Sequence, residues 1–220
     1  MSRHEDATSA VALTRAVRRR ELFRVATADL LGVASVEQVE EALTDVAAAT
    51  IEAALEVATR AAEEGRGSTL PTRLAVVAMG RFGGHELGYA SDADVLFVHD
   101  PHPGADDRDA SDAAHAVVGE LRRLLAVPSP DPPLVVDANL RPEGRQGPLV
   151  RSIASYAAYY ERWSHAWESQ ALLRAEPMAG DVDLGKEFVE LIDPLRYPEA
   201  GLDEPDVREI RRIKRSESVV

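Results

Sequence analysis

Cysteine is absent from this chain of 220 residues. That excludes disulfides and any metal site built on thiolates. Long apolar runs are absent too, and none approaches the roughly 20 residues that a helix needs to cross a bilayer. The first ten residues, MSRHEDATSA, are polar and carry no apolar stretch of signal-peptide type. A soluble, cytoplasmic protein is expected. Positive charge is also scarce, since the formal net charge is −13. Duplex nucleic acid is bound mainly by neutralising its phosphates, so so acidic a chain is a poor candidate. What it does have is enough apolar residues, 45%, to bury a proper core over one large or two small domains.

Basic residues gather in two places: Arg15, Arg18, Arg19 and Arg20 near the start, and Arg208, Arg211, Arg212, Lys214 and Arg215 at the end. Both clusters read as solvated helix faces. Residues 1–10 read as a disordered start. Residues 11–68 read as a lead-in of two helices, the first stopped by Gly32. The second opens with a capping pattern at Ser35 and Gln38, and Gly65, Gly67 and Pro71 end it.

The rest of the chain is organised around residues 73–100, RLAVVAMGRFGGHELGYASDADVLFVHD. Two short apolar runs, residues 74–78 and 95–98, read as buried strands. Gly83 and Gly84 lie in the turn between them. Such glycines let a backbone approach a ligand and present N–H groups to a phosphate. Asp92 and Asp94 lie two residues apart on the second strand, which aims both carboxylates to one face. A helix is expected over residues 110–127 and a short strand over 134–137, with Asp137 at its end. Three acids sharing one site repel each other unless a cation is present. An oxygen-only set beside a phosphate cradle suits Mg²⁺, which lets substrate phosphates complete its shell. The alternative is that Asp92 and Asp94 only cap a turn.

Arg141 and Arg145 follow Asp137 and are candidates for phosphate contacts, or for ion pairs with Glu143 or Glu168. Ser91 either donates its hydroxyl to a phosphate or starts the strand. Arg81, in the glycine turn, is a further candidate for the nucleotide. His85 reads as a turn residue rather than a zinc ligand, since no H-E-x-x-H is present. A helix is expected from residue 152 to about 175, its Tyr156, Tyr159, Tyr160, Trp163 and Trp167 forming a core stripe. Further helices are expected over 184–192 and from Glu204 onward.

Gly83-Gly84, seven residues, then Asp92-x-Asp94 resembles the signature of the nucleotidyltransferase superfamily. The wider wording, MGRFGGHELGYASDADVLF, VDANLRPEGRQGPLVRS and WESQALLRAEPMAGD, resembles the glutamine synthetase adenylyltransferase family, in its actinobacterial form. The lead-in RRRELFRVATADLLG resembles the segment before that family's C-terminal, adenylylating domain.

The resemblance implies an α/β (α+β) nucleotidyltransferase fold: a small mixed sheet with an N-terminal helical lead-in and C-terminal helices. It implies a catalytic domain at 69–183, and at 184–220 a helical segment leading into a further domain. It also implies AMP transfer from ATP to a tyrosine of glutamine synthetase. Asp92, Asp94 and Asp137 would then hold Mg²⁺, and Gly83 and Gly84 would meet the ATP phosphates. A PII-type signalling protein is a further partner implied for the full-length enzyme. Family members with a second such domain remove AMP by phosphorolysis, which is the alternative reaction. Asn139 departs from an Arg common in the family pattern D-x-R-L-R-P. The family enzyme is several times longer, so a fragment, split or truncated form is expected. An inactive remnant or a regulatory binding module is the reading outside enzymes.

Overall fold

In the computed structural model, the described residues are 3–163, 166–198, 201, 204, 207–208 and 210–212. The chain runs α1 (Arg3–Leu30), α2 (Val36–Arg66), β1 (Thr72–Ala78), the single turn α3 (Gly80–Gly83), β2 (Ala93–Pro101) and α4 (Asp107–Ala126). It continues through β3 (Val136–Asp137), β4 (Val150–Ser152), α5 (Ile153–Trp163), α6 (Ala166–Leu172), β5 (Glu176–Gly180) and α7 (Val182–Arg196). The sheet order is β3-β2-β1-β5, with β4 also on β2. β1 is antiparallel to β2 and β5, whereas β3 and β4 run parallel to β2, one after the other along its outer edge. This is an α/β fold with a mixed sheet, as expected.

The runs LAVVA and VLFV are apolar throughout because both faces of the sheet are covered. Val76, Ala78, Val95 and Phe97 face the side closed by α1, α2 and α4. Ala75, Val77, Leu96 and Val98 face the side closed by α5, α6 and α7. Burying each of the valine, leucine and phenylalanine side chains contributes on the order of 1.5–3 kcal/mol. α2 starts with the expected capping box: Gln38 N–H donates to Ser35 Oγ at 3.3 Å, and Ser35 N–H to Gln38 Oε1 at 2.9 Å.

Four expectations are corrected. The first helix begins at Arg3, so residues 3–10 are helical rather than a disordered start; Ala7 and Val11 are buried in the larger core, which holds that end down. Arg15 and Arg18 are not on a solvated face. Both are buried, and donate to the carbonyls of Val127 (Arg15) and Pro132 (Arg18, 2.7 Å), clamping the proline-rich loop onto α1. Arg19 pairs with Asp131 in the same loop, while Arg20 stays exposed. The helix expected over 152–175 is two helices, and residues 176–180 then form β5 on the far side of β1. The strand expected over 134–137 pairs only at Val136 and Asp137.

Tyr156 and Tyr160 are core, with Tyr156 edge-on to Phe188 at 4.9 Å. The side chains of Trp163 and Trp167 lie outside the described residues. Of the terminal basic cluster, Arg208, Arg211 and Arg212 are helical and exposed; Lys214 and Arg215 lie outside the described residues. No helix among the described residues is long and apolar enough to cross a membrane.

Candidate active site

Asp94 sits one residue inside β2 and is half-buried. Its partner in the parallel ladder is Asp137, the last residue of β3. Directly paired residues share a face, so the two carboxylates lie side by side. Asp92 falls just before β2 and is exposed, rather than standing on the strand as expected. Burial, then the charges of Asp137 and Asp92, push the Asp94 carboxyl up to about 6. Negative charge is concentrated there against its own repulsion. Among the described residues no three acids or histidines close into a ready-made metal cage.

The turn after β1 is built against Asp94. Met79 N–H donates to the Asp94 carbonyl at 2.8 Å. Gly80 has φ +53°, and a Cβ there would stand 2.9 Å from Asp94 Oδ2. Only glycine meets both conditions without strain. Sequence reasoning passed over Gly80 in favour of the Gly-Gly pair; its place at the end of an apolar run was the available signal.

Gly83 and Gly84 pack the turn against the rest of the domain. Their N–H groups donate within the turn, to the carbonyls of Met79 at 2.9 Å and Gly80 at 3.1 Å. A Cβ on Gly83 would lie 1.9 Å from the Arg174 carbonyl, so this glycine permits close packing of the α6–β5 connection. The N–H groups that open the turn belong instead to Gly80, Arg81 and Phe82, and the first groups of a helical turn have no partner within it.

The other candidates are held as follows. Ser91 Oγ accepts from Gly88 N–H at 3.0 Å and closes the loop before β2. Arg81 donates to the Glu86 carbonyl at 3.1 Å and is exposed. Arg141 staples its own loop, donating to Gly147 at 3.1 Å and Ala138 at 2.7 Å. Arg145 donates to Asn139 Oδ1 at 3.2 Å. Asn139 in turn donates its N–H to Asp137 Oδ1 at 2.7 Å and its amide to Oδ2 at 2.8 Å. Arg141 and Arg145 therefore do come together with Asp137, in a cavity of about 390 Å³ that Asn139 and Arg122 also line. Glu143, an alternative partner for both, pairs with Arg151. His85 is a turn residue as expected, at φ 56°, with Nε2 3.0 Å from Glu176 Oε2.

A strand, a glycine turn and a second strand that opens on acids, with a third acid paired beside it, define a nucleotidyltransferase-type α/β domain. The family model for glutamate-ammonia ligase adenylyltransferase matches residues 1–191, and the chain belongs to that family. It is 58% identical to the bifunctional glutamine synthetase adenylyltransferase/adenylyl-removing enzyme of Streptomyces coelicolor, over 96% of this chain and 22% of that protein. It is 54% identical to the protein of the same name from Nocardia farcinica, over 97% of this chain and 21% of the relative. The Mycobacterium tuberculosis protein is 53% identical, again over 97% and 21%. The chain thus spans about a fifth of the length of these relatives.

Proposed function

We propose that this chain carries an AMP-transfer site, taking ATP with Mg²⁺ and moving AMP to a tyrosine hydroxyl of glutamine synthetase. The observation that carries it is the Asp94–Asp137 pair with Gly80 pressed against Asp94. A phosphate seated on the first N–H groups of the glycine turn would lie directly beside these carboxylates. Bound Mg²⁺, held by Asp94 and Asp137 with Asp92 at the mouth, would offset the charge of acids and phosphates together.

The tyrosine oxygen attacks the α-phosphorus in line, the bond to the β-phosphate's bridging oxygen breaks, and pyrophosphate leaves with the electron pair. Asp137 stands beside the reacting centre to take up the tyrosine proton. Asn139 fixes its carboxylate by donating to both oxygens. Arg145 orients the Asn139 amide in turn. Gly83 and Gly84 support the phosphates indirectly, by letting the turn close on Arg174. Arg81, Ser91 and Arg141 hold the loops that border the site. The reading carries with it a cytoplasmic location. Control by a PII-type signalling protein belongs to the same reading, as a property of the full-length enzyme.

The relatives' name covers both addition and removal of the adenylyl group, so the reverse chemistry by phosphate is the second reading. Incubation of unmodified glutamine synthetase with Mg·ATP should yield an AMP-bearing tyrosine by mass spectrometry. Release of ADP from modified glutamine synthetase and phosphate, without ATP-driven labelling, would replace the first reading by the second.

A further inference from the structure

The proposed site has two sides. The glycine turn reaches Asp94 from β1, one neighbour of β2, while Asp137 stands on β3, the other neighbour. In-line displacement puts attacker and leaving group on opposite sides of the phosphorus. With pyrophosphate departing on the glycine side, the attacker arrives past β3. On that side a groove of about 660 Å³ runs along β3 towards α1. It shares Arg122, Val135 and Val136 with the cavity over Asp137, so the two form one continuous track.

The track is both an open edge and a positive one. β3 ends the sheet order, and Val135 just before it is 49% exposed. The inner side of this segment is used, since Ala93 N–H donates to the Val135 carbonyl at 2.8 Å. The outer row of an edge strand can pair with an extended peptide. Charges along the groove do not cancel. Asp131 is taken by Arg19, and Arg123 by Glu120 at 2.7 Å. Arg15 lines the groove and Arg122 stands exposed at the junction with the cavity; Arg122 makes no ion pair among the described residues. Arg122 also lies near enough to Arg141 to help depress its pKa, after burial. In a chain of net charge −13 this is a local reversal of sign.

We infer that this groove is the acceptor track: an extended, acidic segment of the acceptor protein lies along the outer edge of β3 and delivers its tyrosine to Asp137. The inference rests on the AMP-transfer reading for the identity of the attacking group.

The test uses binding, scored apart from chemistry. The natural chain has no cysteine, so V135C provides a single attachment point. Unmodified glutamine synthetase is titrated against wild type, R122E, and V135C blocked by a maleimide-polyethylene glycol. Each altered chain should bind about tenfold more weakly or worse, while its Tm without ligand stays at the wild-type value, as expected for changes at exposed positions. Equal acceptor binding by R122E and blocked V135C would overturn the inference, as would a V135C thiol closed to maleimide or no binding by wild type. Groove-dependent binding with no AMP transfer by wild type would sink the function reading and leave the docking surface standing.

Discussion

Asp94 and Asp137 are direct partners in the parallel ladder of β2 and β3, two carboxylates on one face at the end of a strand pair. Nothing in packing calls for that. Burial and the two neighbouring acids raise the Asp94 carboxyl to about 6. An acid whose pKa is raised on folding holds its proton more tightly in the native state. Its contribution is most favourable at low pH and is lost as pH climbs from the usual carboxylate range, near 4, through about 6. Without Mg²⁺, Asp94→Asn should therefore raise Tm at pH 7.5 and change it little at pH 4, while AMP transfer disappears. Thermal melts at the two pH values check the sign; a lower Tm at pH 7.5 would contradict it.

The glycines of the turn should separate stability from binding. Gly83→Ala drives a Cβ into the Arg174 carbonyl, and overpacking of this kind costs about 1–3 kcal/mol or more. For a domain of this size that is roughly 2–4 °C of Tm per kcal/mol. Gly80→Ala strains φ and presses on Asp94, so its larger effect should be on the Mg·ATP-induced rise in Tm. Equal losses in both variants on both readouts would remove the distinction.

Much of this was legible beforehand, and the misses have physical causes. Residues 74–78 and 95–98 were clear as strands because burial on both faces makes the whole run apolar. β5 was not clear, because Pro177 and Gly180 interrupt it and it follows a helix whose pattern runs into it. β3 and β4 are two and three residues long, below what periodicity detects. The three acids were singled out by residue type and spacing, and the partnership of Asp94 with Asp137 depends on register, which spacing along the chain does not contain. The glycines were noticed as places of close approach, and the fold itself makes one such approach at Gly83. Gly83 makes room for the Arg174 carbonyl, 91 positions later in the chain, and no local pattern signals such a contact.

Arg15 and Arg18 were taken for solvent-facing because arginine usually is. Their alternative is visible only once the proline-rich loop lies across α1 and offers carbonyls. Arg15→Ala and Arg18→Ala should each destabilise the chain by about 1–3 kcal/mol, with faster amide exchange in residues 127–133. Arg20→Ala, at an exposed position of the same cluster, should stay within about 0.5 kcal/mol. Similar small effects at all three positions would return the cluster to a solvated face.

His99 gives the chain an acid sensitivity distinct from the carboxylates. It is buried, and its Nδ1 lies 3.1 Å from Thr72 Oγ1. Burial, and then the neighbouring His115, lower its pKa. A histidine lowered on folding contributes stability that is full above its unfolded pKa, near 6.5, and is lost as pH falls through the folded value. Wild type should lose more Tm between pH 7 and pH 5 than His99→Gln. Parallel pH profiles for the two proteins would show that His99 does not carry the effect.

The central claim is that Asp92, Asp94 and Asp137 form one site for Mg²⁺-dependent AMP transfer. The most direct measurement is transfer of α-labelled ATP to purified glutamine synthetase by wild type and by the Asp92→Asn, Asp94→Asn chain, each with Mg²⁺ or with EDTA. Label should enter glutamine synthetase only with wild type and Mg²⁺. Undiminished labelling by the doubly substituted chain would contradict the account.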